Sequence, residues 1–174
     1  MRVRPAEPGD AAGIRSVHLA AFPTALEAGL VEALEREGDA VVSLVADGAG
    51  GIAGHVMLSR MRVEGDGRTW RALGLGPVAV MPGHQGMGLG AALIDGALAI
   101  ARATGEALVF VLGEPAYYQR FGFSAEAAAP FASPYAGPYF MALALKAEPG
   151  LPAAGSAAYA PAFSDLSEGG KAPN

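Results

Sequence analysis

The sequence predicts a mixed α/β (α+β) fold, a mostly antiparallel central sheet of six to seven strands flanked by about four helices. Three observations carry that expectation. Between residues 40 and 80, apolar runs of strand length are separated by short glycine-containing turns, the pattern of antiparallel neighbours. One long amphipathic segment, 88–104, lies between two apolar runs, 72–80 and 107–112, which is the spacing of a single parallel crossover, right-handed by the general rule. The remaining elements follow in the order β–α–α–β–β–β–α–β–α–β–β, with no internal repeat and no second domain.

Residues 2–5 read as a short first strand, and Pro8-Gly9-Asp10 as a turn in which Asp10 caps a helix. Ile14, Val17, His18 and Ala21 share one face of that helix, and Pro23 ends it. Thr24 is expected to cap a second helix with Glu27 in capping-box position. Leu26, Leu30, Val31 and Leu34 form its apolar stripe before Gly38 stops it. Strands over 40–46 and 51–60 follow, the second alternating Ile52, Gly54, Val56 and Leu58 against Ala53, His55, Met57 and Ser59. After a polar turn at 64–68 comes the strand 72–80. The helix 88–104 carries Leu89, Leu93, Leu98 and Ile100 inward, and Gly105 ends it. The continuous apolar run 107–112 is a strand buried on both faces. A short helix over 115–121, a strand from Phe123 and another over 139–145 close the domain, taken as residues 1–146. Residues 147–174 are expected to hold a loop at Pro149-Gly150-Leu151-Pro152, a short strand over 156–160, and a frayed polar tail from Ser164.

Composition narrows the function. The 174 residues carry a net charge of −5, and ten of the twelve basic residues are scattered arginines, so there is no basic face to displace counterions from nucleic acid. No apolar run approaches the ~18 residues of a membrane span, and the first ten residues lack the apolar core of a signal peptide. A cytoplasmic protein that engages neither nucleic acid nor membrane is expected, as a monomer or homodimer. The chain contains no cysteine, so no thiol can serve as a nucleophile or metal ligand. The three histidines lie far apart without metal-ligand spacing, and no metal is expected.

The chemistry concentrates in residues 72–90, ALGLGPVAVMPGHQGMGLG. Proline inside a central strand removes a ladder hydrogen bond. Pro77 therefore implies a bulge that leaves neighbouring amides and carbonyls unpaired. If the strand 107–112 diverges there, a V-shaped cleft opens that an extended, amide-bearing ligand enters like an added strand. Gly86, Gly88 and Gly90 then leave bare N–H groups at a helix N-terminus, an anion seat at the mouth of the same cleft. No lysine follows them, which excludes a P-loop, and Gly86-x-Gly88-x-Gly90 is not the Gly-x-Gly-x-x-Gly of a dinucleotide fingerprint. A ligand with amides at one end and a diphosphate at the other describes coenzyme A.

Here the chain resembles the GNAT N-acetyltransferase superfamily. Gln85-Gly86-Met87-Gly88-Leu89-Gly90 is similar to its pyrophosphate motif, Gln/Arg-x-x-Gly-x-Gly/Ala. Gly76-Pro77-Val78-Ala79-Val80-Met81-Pro82 resembles its bulged fourth strand, and Tyr117-Tyr118-Gln119-Arg120-Phe121-Gly122-Phe123 its tyrosine-bearing helix followed by Gly-Phe. The resemblance spans about residues 2–146. It implies acetyl-CoA as co-substrate and an amine, of a small molecule or an exposed protein amino group, as acceptor. It implies that main-chain groups of Val78 and Val80 pair with the pantetheine amides, that an amide near Val78 and Ala79 faces the thioester oxygen, and that the amides of Gln85, Gly86, Met87, Gly88, Leu89 and Gly90 hold the pyrophosphate. Tyr118 takes the position of the general acid that protonates the leaving thiolate.

The chain departs from the family pattern twice. Met87 stands where many relatives carry a basic residue, so phosphate binding rests on amides and helix dipole. The strand 72–80 holds no Glu or Asp to act as base, which leaves His55, Glu27, Glu64 and Glu114 as candidates. That missing base keeps a second reading in play, an acyl-CoA-binding sensor or partner module without turnover. Trp70 and the aromatics Phe131, Tyr135, Tyr139 and Phe140 are candidates for the wall of the acceptor pocket or for packing.

Overall fold

The computed structural model describes residues 1–146 and 151–164. Eight strands and five helices alternate as β1 (Arg2–Pro5), α1 (Ala11–Ala21), α2 (Leu26–Arg36), β2 (Ala40–Gly48), β3 (Gly51–Gly65), β4 (Arg68–Val80), α3 (Leu89–Ala103), β5 (Leu108–Leu112), α4 (Pro115–Tyr118), α5 (Ala125–Ala128), β6 (Phe131–Ala132), β7 (Phe140–Ala144) and β8 (Gly155–Ala158). The sheet runs β1-β2-β3-β4-β5-β7, with β8 added to the far half of β3 and β6 added to β8. Every pairing is antiparallel except β4 with β5 and β6 with β8. The mixed, mostly antiparallel architecture expected from the sequence is therefore the one observed.

Strand alternation divides the core between the two faces of this sheet. Val56, Leu58, Leu73, Leu75, Val109 and Val111 point to one face and pack beneath α3, against Leu93, Ile94 and Leu98. On the opposite face, Val45 and Met57 meet Ile14, Leu30 and Leu34 of α1 and α2. Farther along that same face, Met61, Trp70 and Phe110 are covered by Phe131, Phe140 and the segment around β8.

Several local expectations are corrected. The segment from Phe123 is not a strand: Ser124 makes a single bridge to Ala142, and its Oγ accepts from Ala127 N–H at 3.1 Å to cap α5. A capping serine ahead of an alanine-rich run favours helix over extension. Asp10 precedes α1 but does not cap it, because its carboxylate accepts from the Glu7 N–H and from Arg4 at 2.8 Å. Thr24 does not form a capping box; Ala25 occupies the N-cap of α2, and Glu27 is buried. Strands β3 and β4 are both longer than the sequence suggests, meeting in a tight turn at Asp66 and Gly67. Trp70 is a packing residue, buried with its Nε1–H donating to Gly65 O at 3.0 Å. The expected loop at 149–150 and the polar tail beyond Ser164 lie outside the described residues, whereas the strand expected over 156–160 is β8, at Gly155–Ala158.

A fully buried carboxylate braces the end of the crossover. Glu106 accepts from Arg60 at 2.8 and 3.0 Å and from Arg71 at 2.8 Å, tying β3 and β4 to the loop that enters β5. Removing one partner of a buried pair strands the other charge. Arg60→Met is expected to lower unfolding free energy by about 3 kcal/mol, read from urea titration, with Arg71 offsetting part of the loss. A change below 0.5 kcal/mol, the scale of an ordinary surface substitution, contradicts a bracing role.

Candidate active site

Strand β4 changes partner count midway. Its register with β5 ends at Leu75 against Val111, while its register with β3 continues to Val80 against Gly54. Between those points Gly76 and Pro77 add one residue relative to β3, since Val56 faces Val78 but Leu58 faces Leu75. This is a bulge at the proline, as the sequence implies, and the strand beyond it parts from β5. Met81 N–H donates to Ala53 O at 2.8 Å. Hydrogen-bonded and non-bonded pairs alternate in an antiparallel ladder, so Ala79 turns its main chain towards β3, while Val78 and Val80 turn theirs away, into the gap left by β5. Val80 O there accepts from Gln85 Nε2 at 3.0 Å.

The turn after β4 sets the second feature. Gly86 and Gly88 have φ of +76° and +79°, a region that costs other residues about 1–2 kcal/mol. The Gln85 N–H is directed at Pro82 O at 3.4 Å, and the first bond of α3 runs from Ala92 N–H to Gly88 O at 3.0 Å. The amides from Gly86 to Ala91 therefore have no main-chain acceptor among the described residues, and residues 85–88 are exposed. Bare amides at the positive end of a fifteen-residue helix constitute an anion seat.

Helix α4 forms the opposite wall. Tyr117 comes within 3.1 Å of the point a Cβ on Gly90 would occupy, so its hydroxyl touches the N-terminus of α3, and Arg120 lies over its ring at 4.6 Å. Tyr118 packs on Gly113, where a Cβ would lie 2.5 Å from Cε2 of its ring; the absent side chain admits the tyrosine. Burial, then the neighbouring Tyr117, pushes the Tyr118 hydroxyl well above its ordinary value, so it stays protonated, as a proton donor requires. No protein acceptor takes that proton among the described residues. Both tyrosines, with Leu112, Gly113 and Glu114, line a cleft of about 590 Å³ whose far wall is the loop 135–139. Tyr117 thus stands between the two features, touching Gly90 at the anion seat and lining the cleft that ends at the loop 135–139.

A family model described as an acetyltransferase (GNAT) domain matches residues 2–125. The chain belongs to the GNAT acetyltransferase family. An N-acetyltransferase of Escherichia coli K12 named YhbS, itself uncharacterized, is 37% identical over 124 residues, spanning 71% of this chain and 73% of that protein. The crystal structure of E. coli YhbS in complex with CoA superposes with a TM-score of 0.82 at 30% identity, covering 94% of this chain and 91% of the other. A GNAT acetyltransferase from Brucella melitensis, in complex with acetyl-CoA, gives a TM-score of 0.76 at 35% identity, covering 93% and 97%.

In this acetyltransferase the candidate bases separate clearly. His55 is fully buried, bonded to His18 Nε2 at 2.8 Å through Nδ1 and to Ser43 Oγ at 2.9 Å through Nε2. Burial, and then the charge of His18, hold it well below the ordinary imidazole value, so it is a structural clasp between α1 and the sheet. Glu64 is paired with Arg62 at 2.9 Å in the β3–β4 hairpin, away from the cleft. Glu27 is buried on α2, whereas Glu114 lines the cleft itself. The loop 135–139 was visible in sequence only as a cluster of aromatics among prolines and glycines; no local pattern tied it to Tyr118.

Proposed function

We propose that this enzyme transfers the acetyl group of acetyl-CoA to a primary amine, of a small molecule or an exposed amino group, by direct attack. The observation that carries the reading is the edge of β4 at Val78 and Val80 that β5 no longer pairs, close in sequence to the bare amides that begin at Gly86. Those two features fit the two halves of the co-substrate. The main chain of Val78 and Val80 offers a strand-like edge to the pantetheine amides, and the amides from Gly86 to Gly90 receive the diphosphate. The Val78 N–H, turned towards the gap, is available to the thioester oxygen as negative charge develops on it. Gln85 serves by bracing the turn through Val80 O. Ala79 supports the same edge by anchoring it to β3.

Tyr118 is the proton donor for the departing thiolate, held neutral by burial and placed by Gly113. A thiol with a pKa near ~8.5 is a tolerable leaving group, so this donor accelerates the step without being indispensable. Glu114, the carboxylate in the cleft, is the group best placed to draw a proton from the incoming ammonium, directly or through water. Calorimetric titration with acetyl-CoA and, separately, NADH tests the co-substrate. Saturable binding of acetyl-CoA alone is expected; binding of NADH alone contradicts the assignment. Thiol release across an amine panel then tests turnover, and tight acetyl-CoA binding without any turnover indicates a sensor instead.

Met87 is exposed at the tip of the phosphate turn. Supplying the missing cation there, as Met87→Arg, is expected to tighten acetyl-CoA binding about threefold to fivefold at low salt, the scale of one exposed charge pair. The gain fades at high ionic strength. Unchanged affinity at low salt argues that the diphosphate does not lie at this turn.

A further inference from the structure

We propose that Tyr159 and Ser59 bind the nitrogen of the acceptor amine, on the sheet face just below the bulge in β4. The inference deepens the acetyltransferase reading and rests on it. Strand β8 pairs with β3 from Arg62 against Ala158 to Gly65 against Gly155, and the chain then turns back across the sheet. That return lays the Tyr159 ring on Gly74, where a Cβ would lie 2.7 Å from Cε1 and 2.9 Å from Cδ1. Only a residue without a side chain leaves room for it. Gly74 is paired with Ser59 on β3 and with Phe110 on β5, and Leu75, the next residue, is the last of β4 to pair with β5. Residues directly opposite on antiparallel strands share a face. Ser59 and the Tyr159 ring are thus on the same face, one residue before the sheet opens.

Two buried hydroxyl groups belong to residues flanking Gly74 on this face, each without a partner among the described residues. Ser59 is fully buried, Tyr159 is a half-buried residue whose hydroxyl oxygen is buried, and neither Ser59 Oγ nor that hydroxyl has a hydrogen bond among the described residues. Buried polar groups in folded proteins are nearly always satisfied, and leaving one unpaired costs stability. Two of them flanking Gly74, one residue before β4 parts from β5, indicate a site whose ligand supplies the missing bonds. The surroundings define that ligand. Tyr159 packs against Phe163 at 4.7 Å, Tyr135 at 5.5 Å and Phe140 at 6.4 Å between ring centroids, an aromatic enclosure. Burial keeps the Tyr159 hydroxyl neutral, and Tyr118 and Tyr135 both lie within electrostatic reach of it. Neutral hydroxyl oxygens accept from N–H groups, and aromatic walls suit an apolar body. The acceptor is accordingly a primary amine on a slim apolar or aromatic chain.

The test uses the full-length protein, acetyl-CoA and 2-phenylethylamine as the probe. Tyr159→Phe is expected to raise KM for the amine about tenfold, the scale of one lost hydrogen bond to a charged group. KM for acetyl-CoA stays unchanged. The unfolding midpoint stays the same or rises, because the deleted hydroxyl has no protein partner; a purely structural hydroxyl would lower it. Ser59→Ala is expected to act in the same direction. Thermal stabilisation by the amine alone, present in the wild type and lost in Tyr159→Phe, reports the site independently of turnover. An unchanged amine KM, a lowered midpoint with both KM values moved together, or no amine-dependent stabilisation of the wild type overturns the proposal. If amine stabilisation is lost in the variant but neither protein binds acetyl-CoA, the co-substrate reading fails and the amine site stands.

Discussion

Replacing Tyr118 by Phe is expected to lower kcat by about 10²-fold, the usual loss when a general acid is removed, while the dissociation constant for acetyl-CoA changes little. The substitution keeps the ring against Gly113 and removes only the hydroxyl, so the α4 wall of the cleft is preserved. Because the hydroxyl of Tyr118 donates to no group among the described residues, its deletion leaves none of them unsatisfied, and the unfolding midpoint should hold. The effect should shrink for acyl donors whose thiol is more acidic, since a better leaving group needs less protonation. Steady-state kinetics with separate titration of each substrate checks all of this. An unchanged kcat removes Tyr118 from the chemistry, and a lowered kcat accompanied by weak acetyl-CoA binding recasts it as a cofactor-packing residue.

The second large effect is on stability. His18 and His55 are bonded to each other in the interior, with Ser43 at the far end. Desolvation depresses both imidazoles in the folded protein well below 6.5. A depressed folded-state value means that the unfolded chain takes up protons first as pH falls. The stabilisation is therefore present above pH 6.5 and is lost progressively below it, towards the lower folded-state values. Two such groups make the slope as steep as about 2.7 kcal/mol per pH unit. Between pH 7 and pH 5 the unfolding free energy is expected to fall by about 2–4 kcal/mol, measured by urea denaturation at intervals of half a pH unit. The double variant His18→Leu, His55→Leu should lose most of this dependence. A flat profile in the wild type over the same window contradicts a neutral buried pair. Acid loosening would act close to the proposed site, since His55 is the cross-strand partner of Ala79 on the edge of β4 proposed to bind the co-substrate.

Much of this site is legible in sequence because it is built from main chain. A proline inside an apolar run announces a bulge, and spaced glycines before an amphipathic helix announce bare amides; both are properties of consecutive residues. Tyr118 is legible for a different reason, its fixed distance from Gly122 and Phe123. The segment after Phe123 misleads because its apolar pattern suits a strand, while the Ser124 cap and the alanines that follow favour one turn of helix. Glu27 misleads likewise: its spacing from Thr24 suggests a cap, yet it lies buried on α2, whose N-cap is Ala25. Contacts made across the fold leave no local trace. The His18–His55 bond joins residues 37 apart, and Tyr159 reaches Gly74 only because β8 finds the free edge of β3. Nothing near Gly74 in the sequence signals that a tyrosine from the C-terminal segment will lie on it.

The central proposal is that a parted strand edge and a row of bare amides accept one ligand between them. A crystal structure of the protein with acetyl-CoA tests this most directly. Diphosphate oxygens are expected within hydrogen-bond distance of amides between Gly86 and Ala91, pantetheine amides paired with the main chain of Val78 and Val80, and the sulfur beside the Tyr118 hydroxyl. A co-substrate bound elsewhere, or bound with its pantetheine arm outside the gap between β4 and β5, contradicts it.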